Sequence, residues 1–378
     1  MVGLLTLDSK IYNYGGFLQE MALQDTIKSL GYDCEIINYD VSQEYNTFSL
    51  KRDVRNFSCE KIKQKLRKSK TMPLPASIAD SIDKRKKAFD NYRESTLVVS
   101  KKLNFKELHD KELSYDQLVC GSDQIWNPSY NIPEFFLNFG RDDCKKIIYA
   151  ASIGKDWLSR RENKVYRELL KYPDYISVRE TSAQKIVSEL TQKKVELVLD
   201  PTLLHQKKYW NEKAESSLLK YQNYMFCYFL DMTNEKVNSA NDFAKENGLE
   251  IIAIPYLHDE DEDYSERLNG TLVSSVGPAD FLNLIRNAEV VLTDSFHATV
   301  FSIIFQKEFW CFGRKAGRYS MNTRLHTLLG YAGLRDRLIP TEELKHKDHK
   351  NSIKINTEYL MNEQTKSMAF LKNALNQA

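Results

Sequence analysis

Short, nearly continuous apolar runs recur along the chain, each closed by polar turn residues. Val2–Leu7, Glu35–Tyr39, Gln117–Cys120, Lys146–Ala151, Tyr175–Val178 and Val195–Leu199 read as strands of a first unit. Tyr224–Leu230, Glu250–Pro255, Val290–Thr293 and Glu308–Phe312 read as strands of a second. Runs without polar alternation are expected where helices cover both faces of a sheet. Between them, Gly16–Leu30, Arg160–Lys171, Thr181–Leu190, Asn234–Asn247 and Pro278–Asn287 carry the 3.6-residue periodicity of helices. Gly31 and Gly248 stand where a helix end favours a residue at positive φ. This alternation predicts an α/β fold of parallel sheets wound on both sides.

The boundary falls just after Asp200–Leu204, in the polar stretch His205–Asn223. That gives a first domain over 1–204 and a second over 205–355. A last helix, Glu358–Gln377, fills the segment 356–378 and is placed to pack back on the first domain. Two such units in tandem leave a cleft faced by the carboxyl ends of both sheets. The loops after the strands are therefore where chemistry belongs.

Composition sharpens this picture. The 378 residues, at roughly 150 per domain, agree with two domains. With 42% hydrophobic and 28% charged residues the chain builds real cores, which excludes disorder as its main state. The six cysteines are scattered without a CxxC pair, and Cys120, Cys227 and Cys311 sit in apolar runs as small core residues. No run approaches the ~18 apolar residues of a membrane span, and MVGLLTLDSK is too short in its apolar part for a signal peptide. A cytoplasmic protein is expected.

The net charge of +2 argues against a nucleic-acid binder. The charge is uneven, however, because residues 51–93 hold 14 Lys and Arg against 5 Asp and Glu. Within this basic insertion, Lys61–Lys68 spaces its apolar residues by four among five cations, as an interfacial helix does. A solvated insertion is the commoner fate of such a segment. Its concentration in an otherwise net acidic chain suggests weak, salt-sensitive attachment to an anionic membrane face.

Four polar clusters follow directly after predicted strands. In the first, Asn13, Gly15 and Gly16 lead into a helix, where glycine lets backbone approach a ligand and the helix start offers free N–H groups. A plain tight connection is the commoner meaning of that pattern. The second, Gly121-Ser122-Asp123-Gln124-Ile125-Trp126-Asn127-Pro128, offers carboxylate, amide and indole to a sugar. A capping Asp or Ser with Trp126 in the core explains it equally well. The third places Arg179 at a strand end before a helix opened by Thr181 and Ser182, suited to a carboxylate or phosphate. Pairing with Glu180 or another surface carboxylate is the commoner fate of such an arginine. The fourth and sharpest is Thr293-Asp294-Ser295-Phe296-His297, ahead of the apolar helix Thr299–Phe305, where imidazole can donate to a bound anion. Downstream, Arg314, Lys315, Arg318, Arg324 and His326 form a basic stretch, either closing over a phosphate or simply solvated. Asp8, Asp123 and Asp294 are the carboxylates in range of the cleft. No Walker loop, HExxH, GxSxG elbow or Cys/His metal cluster is present, so no metal is expected.

The series GSDQIWNP, SVRETSA, LVLDPTLL and TDSFHATVFSIIF, preceded by NYGGFLQEMALQ, resembles the polysaccharide pyruvyl transferase family over roughly residues 3 to 335. The resemblance implies two Rossmann-like domains in a GT-B-like arrangement. It implies transfer of pyruvate from phosphoenolpyruvate, the co-substrate, to two hydroxyls of a sugar, as a cyclic ketal with release of phosphate. The sugar would belong to a surface polysaccharide or its lipid-linked precursor. By motif, Arg179 matches the arginine gripping phosphoenolpyruvate and His297 the histidine of a D-x-x-H segment. Ser295 and Phe296 stand where one version of that segment has Arg-Leu, and Arg314, Arg318 or Arg324 would supply the absent charge. Read this way, His297, Asp294 and Asp123 are catalytic candidates. Arg179, His297, Ser295, Arg314, Arg318 and Arg324 would bind the donor, and Asn13, Gly15, Gly16, Ser122, Asp123, Gln124 and Trp126 the acceptor. A GT-B glycosyltransferase using a nucleotide sugar, or a non-catalytic sugar-binding relative, are the rival readings.

Overall fold

A computed structural model describes residues 1–7, 12–39, 76–110, 113–130, 132–255, 267–316, 319–320, 322–350 and 352–376. Lys61–Lys68, Asp8 and Arg318 lie outside the described residues. The first sheet comprises β1 (Val2–Leu5), β2 (Cys34–Ile36), β3 (Gln117–Gly121), β4 (Lys145–Ala151), β5 (Tyr175–Val178) and β6 (Val195–Leu197). It is six-stranded and parallel in the order β2-β1-β3-β4-β5-β6. The second comprises β7 (Tyr224–Tyr228), β8 (Glu250–Ala253), β9 (Gly270–Leu272), β10 (Val290–Thr293), β11 (Glu308–Phe312) and, after a small antiparallel pair β12 (Lys315–Ala316) and β13 (Tyr319–Ser320), β14 (Leu338–Ile339). It too is parallel, in the order β14-β11-β10-β7-β8-β9. The strands β1, β7, β10 and β11 are buried at every residue, which is why their sequences are apolar without alternation.

Helices cover the sheets: α1 (Tyr14–Ser29), α2 (Ala76–Thr96), α3 (Phe105–Leu108), α4 (Arg160–Leu169), α5 (Thr181–Ser188), α6 (Lys207–Ala214), α7 (Asn234–Asn247), α8 (Pro278–Asn287), α9 (Phe296–Phe305), α10 (Thr323–Ala332) and α11 (Thr357–Asn376). Local chemistry fixes their ends. Asn13 caps α1 by accepting from Gly16 N, Ser159 and Glu162 form a reciprocal box at α4, and Gly248 closes α7 at φ 65°. α11 lies along the first sheet's elements, with Ser367 Oγ accepting from Leu199 N and Gln117 donating to Leu375 O.

α2 is the longest of the helices that the sequence pattern misses, because its surface charges mask its apolar stripe. It spans both halves of the molecule. Arg85 donates to Ser274 O and Pro255 O, past the carboxyl ends of β9 and β8. Phe89 packs on Tyr14 of α1, which itself stacks on Phe281 of α8 and donates to Val276 O. The described part of the expected basic insertion is thus a helix with internal pairs such as Lys84–Asp80. Among the described residues no helix is long and apolar enough to cross a membrane, and no group of three His, Cys, Asp or Glu is placed to hold a metal.

Candidate active site

The carboxyl ends of the two sheets meet, and the loops after β3, β5 and β6 face those after β10 and β13. From the first half come Asp123, Arg179, Glu180 and Asp200. From the second come Phe296 and His297, at the start of α9, and Arg324, in the first turn of α10. Arg179 is buried and already engaged at both ends of its fork. Nη1 donates to Asp200 Oδ2 and Nη2 to Asp123 Oδ1, each at 2.6 Å. Its guanidinium lies over the Phe296 ring at 4.4 Å, and that of Arg324 lies 5.8 Å from the same ring.

Backbone geometry aims the first-half carboxylates. At Gly121, φ is +146° and a Cβ would fall 1.9 Å from Tyr149 O, so only glycine fits. Asp123 takes a left-handed conformation, φ 63°, one that Asp tolerates better than most residues. Asp200 caps the turn Pro201–Leu204, accepting from Thr202 N and Thr202 Oγ1 through Oδ1. That leaves Oδ2 for Arg179, with His297 Nε2 at 3.5 Å. Gly15 makes room for the imidazole: a Cβ there would sit 2.1 Å from His297 Nδ1.

The electrostatics are lopsided. Burial works to raise the carboxyls of Asp200 and Asp123, but His297 and Arg179 outweigh it and hold both below the usual carboxylate range. Glu180, fully enclosed and accepting from Ile153 N, is pushed up by burial despite Arg179 nearby. Arg324 is 7% exposed and makes no ion pair among the described residues. Burial, then the like charge of Arg179, lowers its guanidinium to about 10. Four buried nitrogens around the Phe296–His297 turn make no close hydrogen bond: Arg179 Nε, His297 Nε2 and Arg314 Nε, each with a carboxylate oxygen 3.5 to 4.0 Å away, and Arg324 Nε, with none among the described residues. Such a set is short of an anion.

Other expected residues lie elsewhere. Trp126 is 1% exposed, stacked on Phe136 and donating to Phe135 O, so it is core and meets no sugar. The tryptophan open to solvent is Trp157, 46% exposed, on the loop after β4. Asp294 is likewise spoken for: its oxygens accept from Leu230 N, Asp231 N and Lys236 Nζ. It holds the loop after β7 in place. Ser122 is fully buried between Ala150 O and Asp200, and Gln124 accepts from Asn127. Asn13 and Gly16 serve the cap of α1, and Ser295 caps α9. Arg314 Nε lies 4.0 Å from Asp294. Asp200 and Glu180 carry the site without having been assigned a role from sequence. The signal for Asp200 was the Leu199-Asp200-Pro201 step after β6, which reads equally as a linker start.

A family model described as polysaccharide pyruvyl transferase matches residues 13–315. A sequence comparison with curated proteins finds no match. Among solved structures, the chain is similar to UGT89C1 of Arabidopsis thaliana in complex with UDP-L-rhamnose, at 10% identity and a TM-score of 0.51, covering 100% of this chain and 99% of that one. The UDP-N-acetylglucosamine 2-epimerase of Rickettsia bellii is 12% identical with a TM-score of 0.48, covering 99% of this chain and 95% of that one. At such identities the likeness is one of fold, the GT-B-like pairing of two parallel sheets.

Proposed function

The chain belongs to the polysaccharide pyruvyl transferase family, and from that premise we propose that it moves pyruvate from phosphoenolpyruvate to two hydroxyls of a sugar, leaving a cyclic ketal and phosphate. The observation carrying this reading is the cluster of buried cationic side chains Arg179, His297, Arg314 and Arg324, each with a nitrogen that makes no close hydrogen bond, and Arg324 without an ion pair among the described residues. Phosphoenolpyruvate bears a phosphate and a carboxylate, and such a donor set suits both.

Because Arg179 is neutralised by Asp123 and Asp200, Arg324 carries the net positive charge offered to the donor. Arg179 contributes its remaining Nε–H and holds the two carboxylates in place. His297 protonates the methylene carbon, which becomes a methyl group. The first sugar hydroxyl adds to the neighbouring carbon, and the second displaces phosphate. The two hydroxyls give up two protons: one balances that taken by carbon, the other leaves with phosphate. Asp123, the least buried carboxylate of the cluster at 14% side-chain exposure, accepts a hydroxyl proton.

A surface polysaccharide or its lipid-linked precursor is the acceptor in this reading. The test is to incubate the protein with phosphoenolpyruvate and a panel of galactosides, mannosides and N-acetylhexosamines, following phosphate release and the mass gain of a ketal. Consumption of a nucleotide sugar with no phosphate released from phosphoenolpyruvate would replace this reading with glycosyl transfer.

A further inference from the structure

A cavity of about 290 Å³ opens beside the start of α1, away from the charge cluster. Its walls include Tyr12, Asn38, Phe89, Asp90, Arg93 and Glu94, contributed by the entrance to α1, the chain after β2, and α2. We propose that this cavity binds a saccharide unit of the acceptor, next to the sugar that reacts. That the saccharide is an acceptor rests on the function proposed above; that a saccharide binds here does not.

The wall chemistry selects the ligand class. Tyr12 is the half-buried aromatic of the wall, held edge to face on the buried Phe89 at 5.8 Å between centroids and with Lys86 Nζ 5.9 Å from its ring, and an aromatic ring of this kind packs on the C–H side of a pyranose. Asn38, Asp90 and Glu94 supply amide and carboxylate groups that read hydroxyls as donors and acceptors. Arg93 Nη2 donates to both oxygens of the buried Glu20, at 3.0 and 3.3 Å, which fixes its place in the wall. Arg93 and Glu20 neutralise one another, so Asp90 and Glu94 against Lys86 over Tyr12 leave the wall net negative, which disfavours phosphoenolpyruvate here and favours it at the arginine cluster. The volume lies near the lower end of the ~300–1,000 Å³ typical of ligand pockets, enough for one sugar ring with water.

Position relative to the reaction site sets the register. Gly15 touches His297, whereas Tyr12 and Phe17 border the cavity, so the first turn of α1 separates the two. A helix is about 10 Å across, too far for one sugar to occupy both places. The cavity therefore reads the neighbour of the reacting unit, and acceptors of two or more units gain from it.

Asp90 and Glu94 are exposed on α2 and lie outside the catalytic cluster. In the full chain, binding of lactose, cellobiose, mannobiose and N,N′-diacetylchitobiose is followed by saturation-transfer NMR, without donor. At least one disaccharide is expected to bind, and Asp90→Asn with Glu94→Gln should weaken it about tenfold, as for loss of one charge-assisted hydrogen bond. Melting temperature and phosphoenolpyruvate binding should stay unchanged. No binding by any of the four, or equal binding by the variant, overturns the proposal. Binding sensitive to the variant but without ketal formation keeps the cavity and removes the pyruvyl transfer reading. Ketal formation with KM values indifferent to acceptor length and to the variant does the reverse.

Discussion

Replacing Gly15 by alanine tests whether the imidazole of His297 must stand where the structure puts it. The added Cβ would lie 2.1 Å from Nδ1 and 2.4 Å from Cγ of His297. Carbon contacts settle at about 3.5–4.0 Å, so the ring has to retreat by roughly 1.5 Å. A misplacement of about 1 Å at a reacting group costs on the order of 100-fold, or about 2.7 kcal/mol of transition-state stabilisation. Alanine in a helix is favoured over glycine by up to ~1 kcal/mol, but the added Cβ would also fall 2.7 Å from His297 Cβ and overpacking costs about 1–3 kcal/mol, so the fold should lose on the order of 1 kcal/mol. Gly15→Ala is thus expected to keep its melting temperature within a few degrees while kcat/KM for phosphate release falls about 100-fold or more. Gly16→Ala is the matched control, because a Cβ there meets nothing closer than Asn13 Cβ at 3.7 Å. Wild-type kinetics in Gly15→Ala, or equal losses in both variants, would refute the reasoning.

Arg324→Met removes a buried cation that has no ion-pair partner, so the ligand-free protein should melt no lower than wild type. Its affinity for phosphoenolpyruvate should drop roughly 10- to 100-fold, and an unchanged ligand-induced melting shift would count against the donor assignment. Asp294→Asn takes the buried carboxylate from Lys236 and leaves it Asp231, whose Oδ2 lies at 3.5 Å and whose carbonyl accepts from Nζ, so it should cost about 2 kcal/mol in chemical denaturation; phosphoenolpyruvate binding should persist, and its loss would return Asp294 to the site. Asp200 and Asp123 have folded pKa values below their unfolded ~3.9, so their stabilisation is complete above that pH and is lost as pH falls through the lower folded values. The melting-temperature gap between wild type and Asp200→Asn should therefore be widest near neutrality and shrink below about pH 4; a gap that widens in acid would reverse the sign of this account.

The strands were legible because a strand buried on both faces leaves an unbroken apolar run, as Val290–Thr293 and Glu308–Phe312 do at their observed limits. The edge strands β9 and β14 were not, since the three residues of β9 are all exposed or half-buried and β14 is only two residues long, which leaves no pattern above background. Arg179 and His297 stood out as polar residues at strand ends, where the fold concentrates chemistry. Their partners did not: the contact between Gly15 and His297, and the sharing of Asp200 by Arg179 and Ser122, join residues distant in sequence that no local period reports. Trp126 misled because an indole after a strand reads the same whether it faces solvent or Phe136.

The glycine on one half that admits the histidine of the other has a consequence for anyone who would recombine such proteins. Chimeras are usually cut between domains, on the view that each domain is a self-contained inheritance. Here the seam is where the fit resides, with Thr181 against Thr327 and Tyr14 against Phe281 on its flanks. A graft that exchanges one half while leaving residue 15 to its old host can bring a methyl group against an imidazole it never met. The portable module is the seam, taken from both parents together.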